Sequence, residues 1–595
     1  MSGVIDYFGV IALVIIGMKE FDSKLVVAVG VIILNYITGK KAVFLNVYGG
    51  INMLNSITKN KTKIWYMLCF VCLGIIDQRR GSAIGEIQMV FSNLTGIVIA
   101  LLTVPSLKLR QFMEKKYLYW MPVCVLLTIA ACAIGSQYWS YQGQWITAVL
   151  NVAVWSYLII YIWDNRKTMG FSLKSCDLFH LCMLIMLLLM IVSVRGKILP
   201  LWYLVIFGGF YVIGIPSEKK SIFFDGMLNG IIVNFFVLQI IAFGFRPYDY
   251  IRYHGIYGGE TQNGLFYMIT FCAFLCKWKE NKEKEKKILS AFFFFMAAGC
   301  VSFILFTGSR AALLGVIMAT VVIITYRDIL IARKFNQWIL HGLALVMCIV
   351  ITFPAVYGCI RYLPTILHHP IWFQGEYESG RSVCSFDPWN SSKYVTLDEA
   401  MEKNIGRVLK AMGIDYDVII QRLKEVIDVR KVSAAELTNM ENIDAADVNK
   451  EIGSSPDNPY RVEGMDISDG VMGARIVIYV YYLQHLNFVG HTSSEGVFYL
   501  EDGTEIGHAH NMFLQMAYDY GIIVGIIFLS IYIYGIICAL RHTGGEQFVS
   551  GVFLLAILCF GLLEMVIIPG QITVSLIGIL LYFVKESRER NCHAV

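Results

Sequence analysis

Long apolar runs separated by short polar loops set the pattern of this chain, and each run of about 17 to 25 residues is enough for one helix through a bilayer. They lie near residues 4–18, 24–37, 63–77, 86–104, 117–136, 144–163, 178–195, 197–215 and 222–243, then 263–277, 288–307, 310–326, 338–357, 511–540, 548–568 and 572–584. Several are short, so the pattern predicts an all-α polytopic protein with roughly 14 transmembrane helices, between about 12 and 16. One long polar stretch, residues 359–510, interrupts the series. It divides the chain into an N-terminal bundle, 1–358, this loop, and C-terminal helices, 511–595.

Inside the loop, Ile405, Val408, Leu409 and Met412, then Ile419, Ile420, Leu423 and Val426, recur at helical spacing with charges between them. They predict two or three short amphipathic helices within Thr396–Lys450. A further amphipathic stretch starts at Gly473 and runs to Leu486, whereas Ser493–Gly507, rich in glycine and acid, reads as irregular.

Alternate loops are basic. Lys40, Lys41, Lys59 and Lys61 begin the series, followed by Lys108, Arg110, Lys115 and Lys116, then Arg166, Lys167 and Lys174, then Lys219 and Lys220. The segment 277–287 is the densest; Arg327, Arg333 and Lys334 continue the series, and Lys585, Arg588 and Arg590 end it. The positive-inside rule assigns these loops, and both termini, to the cytoplasm, which leaves 359–510 as one large extracytoplasmic loop. Arg79 and Arg80 are the exception, on the outer side in this count.

Composition agrees: 57% hydrophobic and 16% charged residues is too apolar for a soluble chain of 595 residues. The net charge of +5 is dispersed among loops, which argues against nucleic acid as a partner. Cysteines such as Cys69, Cys72, Cys272 and Cys276 fall in apolar runs without the spacing of a zinc site or disulfide framework. The first apolar run lacks a preceding basic region and a small-residue cleavage site, so it reads as a retained helix.

Candidate chemistry gathers on the outer side. Arg310 enters an apolar helix, where a charge costs about 2.5 to 3.5 kcal/mol unless compensated. A diphosphate oxygen would compensate it, because guanidinium binds phosphate bidentately and keeps its charge; snorkelling to headgroups is the plainer alternative. Arg475 is a second external cation, and Arg381 and Arg461 are further ones. His510, just before Asn511 and the next apolar helix, offers an imidazole for proton transfer, unless Asn511 is a helix cap and His510 a bystander. His508 makes a metal conceivable, but no third ligand stands at recognisable spacing, so none is expected. Glu495, Glu501, Asp502 and Glu505 read as a solvated face, and Glu564 as a partner for an unidentified arginine.

Gly308-Ser309-Arg310-Ala311-Ala312-Leu313-Leu314, with its Arg-x-x-x-Leu element, Arg475 ahead of an aromatic helix, and His510-Asn511 followed after the expected interval by Gly521 together resemble the O-antigen ligase and polymerase family of bacterial membrane glycosyltransferases. Val524 departs from the family's small residue, although Gly525 follows; Gln262-Asn263-Gly264 adds weaker support. The resemblance covers roughly residues 200–585. It implies a GT-C-like fold in the bacterial plasma membrane, a donor glycan linked to undecaprenyl diphosphate, a glycan acceptor, and no cofactor or metal. It implies that Arg310 and Arg475 hold the departing diphosphate and that His510 is the base; Arg381, Arg461, Asn511, His508 and Asn263 are the further candidates for binding substrate. A transporter or flippase of lipid-linked oligosaccharides is the alternative, though it would favour symmetric halves; a scaffold or sensor with a docking loop is a third.

Overall fold

A computed structural model describes residues 51–82, 86–134, 144–165, 178–193, 210, 215–245, 252–255, 257, 259–325, 335–367, 395–406, 473–491, 498–499, 505–541, 545–567 and 571–592. The longer helices, in chain order, are α1 Ile51–Ser82, α2 Glu86–Thr103, α3 Trp120–Ile134, α4 Gln144–Asn165, α5 Leu178–Val192, α6 Ser217–Phe245, α7 Glu260–Glu283 and α8 Lys287–Thr307. They continue as α9 Arg310–Thr325, α10 Phe335–Leu367, α11 Leu397–Met401, α12 Gly473–Gln484, α13 Met512–Tyr520, α14 Ile522–Leu540, α15 Gly545–Gly561 and α16 Ile572–Cys592. The predicted segments near 4–18, 24–37 and most of 197–215 lie outside the described residues, as do the amphipathic helices predicted beyond residue 406, Arg381 and Arg461.

Among the described residues, the spans Ile146–Asn165, Glu218–Phe243, Lys287–Thr307, Phe335–Pro364 and Ile522–Leu540 are long and apolar enough to cross a membrane. Helix α10 exposes Leu340, Leu343, Met347 and Val350, an apolar stripe at helical spacing. Such a stripe is stable facing hydrocarbon and costly facing water. Its Pro354 and Pro364 are of a kind that helices in apolar surroundings tolerate.

Helix α7 is the axis of the bundle, buried on almost every face and packed by α6, α8 and α9. Its contact with α9 depends on Gly264, where a β-carbon would come within 2.6 Å of Ser309 Cβ. One helix further on, Gly315 of α9 leaves room for the Ala556 carbonyl of α15, 2.9 Å from where its β-carbon would stand. Small residues let these backbones approach. Aromatic rings fill the wider gaps, as with Phe306 stacked on Phe353 at 4.5 Å between α8 and α10.

Four lysines, Lys63, Lys277, Lys279 and Lys284, share one end of the bundle. Lys277, 6% exposed, bonds Asp225 and, at 2.8 Å, Glu280; Lys63 pairs with the same Asp225, and Lys284 with Glu280 at 2.6 Å. Lys279 lies 4.3 Å from the ring centre of Phe548 at the start of α15. Buried ammonium groups persist only when paired in this way. Arg79 and Arg80 fall in the last turn of α1, at the end away from Lys63.

Two expectations need correction. The run 511–540 is not one helix: it breaks at Gly521 into α13 and α14. Gly521 has φ 99°, and a β-carbon there would meet the Phe488 carbonyl at 2.3 Å, because Asn487–His491 crosses over the break. The stretch 493–507 is not wholly irregular, since β1 Phe498–Tyr499 pairs antiparallel with β2 Glu505–Ile506.

Candidate active site

At the end opposite the lysines, α8 stops at Gly308, whose left-handed φ of 61° turns the chain into α9. Ser309 caps α9: its Oγ accepts from Ala312 N at 3.4 Å. Arg310 is therefore the first helical residue, exposed, at a helix start that already carries partial positive charge. A cation held there makes the spot doubly attractive to an anion.

Arg252 lies against the same turn. Its Nε donates to Thr307 O at 2.8 Å, and its Nη1 bonds Glu260, which also meets His254 Nε2 at 3.0 Å. Asn263, 1% exposed, donates to Tyr253 O at 3.4 Å and belongs to the packing that holds this turn. Asn263 was singled out as a substrate-binding candidate; in the structure its side chain lies inside this packing.

The second half of the site comes from α12, α13 and the end of α15. Ile478 and Tyr482 lie on one face of α12 and bury against Ala509 and Tyr518, so Arg475, one turn before Ile478, stands over the end of α15. There its guanidinium pairs with Glu564, which is 7% exposed. The other carboxylate oxygen lies 3.1 Å from His510 Nδ1. One carboxylate thus joins the two residues, Arg475 and His510, to the same point.

The backbone around His510 is tightly held. Asn511 caps α13 with its Oδ1, accepting from Phe513 N and Leu514 N at 3.0 Å each, while its Nδ2 donates to Leu562 O at 3.0 Å. The Tyr479 hydroxyl lies 3.2 Å from His510 O and 3.1 Å from Leu562 O and shares its proton between them. Burial pushes the Tyr479 phenol up, which keeps it a donor. His510 itself sits at φ 47°, a conformation uncommon for a residue with a β-carbon. Asn511 is thus the cap, and His510 is bonded rather than a bystander.

His508 stands beside His510, ring centres 4.2 Å apart. Burial, with the neighbouring His510 adding to it, lowers its pKa to about 4, against a smaller opposing pull from Glu564. It stays neutral at physiological pH. Among the described residues no group of three or more His, Cys, Asp or Glu is placed to hold a metal.

The helix contacts relate Arg310 to this cluster. Gly315 faces Ala556; five residues further along the antiparallel pair, about 7.5 Å at 1.5 Å per residue, Arg310 stands level with Gly561. Axes of packed helices run about 8 to 10 Å apart, and the next residue, Leu562, is the one that Asn511 and Tyr479 grip. Arg310 and the Arg475–Glu564–His510 cluster therefore lie toward the same end of the α9–α15 pair.

The sequence alone does not pair Glu564 with Arg475. The available signal was a carboxylate in an otherwise apolar run, which demands a cation, but nothing local points to Arg475, 89 positions away. Val524 is 1% exposed, and the small residue is needed one place later, where a β-carbon on Gly525 would come within 2.5 Å of Ala517 Cβ. A separate cavity between α1, α6, α7 and α16, lined by Asp77, Asn234, Gln262 and Gln571, has a volume of about 20 Å³. That holds one water and no sugar. Compared with protein-family models, with curated proteins and with solved structures, the chain matches none.

Proposed function

We propose that this protein is a membrane glycosyltransferase that moves or polymerises glycan from an undecaprenyl-diphosphate-linked donor to a glycan acceptor at the outer face of the bacterial plasma membrane. In this reading the chain has roughly 14 spans in a GT-C-like arrangement, and the lysine-bearing end faces the cytoplasm. The observation that supports it most is the meeting of Arg475 and His510 on one carboxylate, beside the helix that Arg310 begins.

The acceptor hydroxyl attacks the anomeric carbon, the bond from that carbon to the diphosphate oxygen breaks, and the hydroxyl proton passes to His510. The diphosphate leaves with its negative charge facing Arg310 and Arg475. Fixed cations in a site of low dielectric are most effective where such charge develops. The membrane supplies the donor in two dimensions.

The test is to incubate purified protein with a lipid-diphosphate oligosaccharide and to follow products by gel or mass spectrometry. A ladder of repeats identifies a polymerase, and transfer to a distinct acceptor a ligase. His510→Ala should lower transfer by about 10²- to 10⁴-fold, as loss of a general base does, while insertion into the membrane is kept. Unchanged polymer length and yield in that variant rule out the base role, and movement of the lipid-linked sugar across vesicles without a new glycosidic bond favours a flippase.

A further inference from the structure

Glu564 is the one acid in contact with both Arg475 and His510 among the described residues, and nothing in the proposed transfer step uses it. Its position is over-determined. It sits on the turn that follows α15, with its backbone N–H bonded to Phe560 O at 2.9 Å, and one carboxylate oxygen is occupied by the Arg475 guanidinium. The second oxygen faces only one nitrogen of the His510 ring, Nδ1, at 3.1 Å.

We infer that Glu564 is a positioning residue that fixes His510 in the tautomer with hydrogen on Nδ1, leaving the Nε2 lone pair as the proton acceptor. An ionised carboxylate only accepts hydrogen bonds, so the ring nitrogen that meets it must carry the proton. The other nitrogen of a neutral imidazole is then the base. The surroundings give the ring little other choice. The backbone of His510 is held from both sides, by Tyr479 on its carbonyl and by Asn511 in the cap, so the ring can adjust only by rotation or by exchange of its proton. Glu564 restricts both. Arg475 in turn holds Glu564, so the cation serves the imidazole through the acid as well as facing an anionic group directly. A base oriented by a third group recurs where a nucleophile must be activated.

This inference rests on the proposed transferase for what the imidazole does, but the tautomer can be read without any turnover. Full-length protein labelled with [15N]histidine is measured by NMR at neutral pH, with His510→Gln assigning the resonance. His510 should show hydrogen on Nδ1 in the wild type; a predominant Nε2–H form overturns the inference outright, whatever any variant does. Glu564→Gln, whose amide can turn its NH₂ toward Nδ1, should move the proton to Nε2. In transfer assays the same variant should lower kcat by about 10²- to 10⁴-fold with KM within a few-fold, the size expected when a base is held in the wrong tautomer. Glu564→Asp, which keeps an acceptor-only group, should recover part of that loss and keep the Nδ1–H signal. An unchanged tautomer and unchanged kcat in Glu564→Gln refute the positioning role. If the tautomer follows Glu564 while the wild type transfers no glycan from lipid diphosphate, positioning stands and the transferase reading falls.

Discussion

Asn511 performs two tasks with two atoms, and substitutions can separate them. Its Oδ1 takes the first free amides of α13, Phe513 N and Leu514 N; its Nδ2 ties the helix start to Leu562 O at the end of α15. Asn511→Ala removes both. Loss of the cap costs about 1 kcal/mol, and loss of the tether, whose carbonyl keeps Tyr479, about another 1 kcal/mol. Opening of the first turn of α13 should then become about 30-fold more frequent, at about 1.4 kcal/mol per factor of ten. Asn511→Asp keeps the cap and places negative charge at a helix start, which is favourable by about 0.3 to 1 kcal/mol, but removes the donor to Leu562. Hydrogen exchange with mass spectrometry on a peptide covering 510–520 reads the difference. Protection at Phe513 and Leu514 should fall in the alanine variant and persist in the aspartate variant, while transfer activity falls in both, because both lose the donor that ties the start of α13 to Leu562 O. Equal loss of protection in the two variants would refute the division of labour.

Two further outcomes follow from backbone geometry and from burial. Gly521→Ala should destabilise the α13–α14 junction by several kcal/mol, on the order of the 1 to 3 kcal/mol for an unfavourable backbone plus the clash with Phe488 O; thermal unfolding in detergent that matches wild type would show that the junction relaxes at no cost. For His508, burial lowers the folded pKa to about 4 from the usual 6.5, so the unfolded chain binds the proton first. Its contribution to stability, about 3 kcal/mol, is complete above pH 6.5 and is lost as pH falls toward 4. Exchange of residues 505–512 should accelerate across that window, and His508→Gln should flatten the acceleration; a wild-type profile already flat there would refute the burial argument.

Much of this arrangement is legible in the sequence because membrane helices declare themselves locally. Helix α8 was expected over 288–307 and is Lys287–Thr307; α9 was expected over 310–326 and is Arg310–Thr325. A charged residue abutting an apolar run marks both starts. Helix α1 runs well beyond the expected 63–77, from Ile51 to Ser82, because its polar first turns still satisfy their own backbone bonds and need no apolar surroundings to be helical. The break at Gly521 was hidden by hydropathy, which is high on both sides; what selects it is the strand of chain 487–491 lying across it, bonded from Ile522 N to Asn487 O at 2.9 Å.

Arg475 and His510 stand out in the sequence as residues, but the bonds that join them through Glu564 do not, and the physical reason lies in how charge is balanced away from water. An arginine and a histidine at helix mouths announce themselves because each is costly there, and cost is a local property. Which acid balances them is decided by the packing of α12 on α13 through Ile478, Tyr482 and Tyr518, and of α13 against α15 through Met512, Asn511 and Gly561. Those contacts are apolar or backbone-directed and carry no charge signature of their own. Glu564 therefore receives Arg475 and His510 as a consequence of where the helices pack, and a substitution in that apolar seam should disturb the ion pair without touching any of its members.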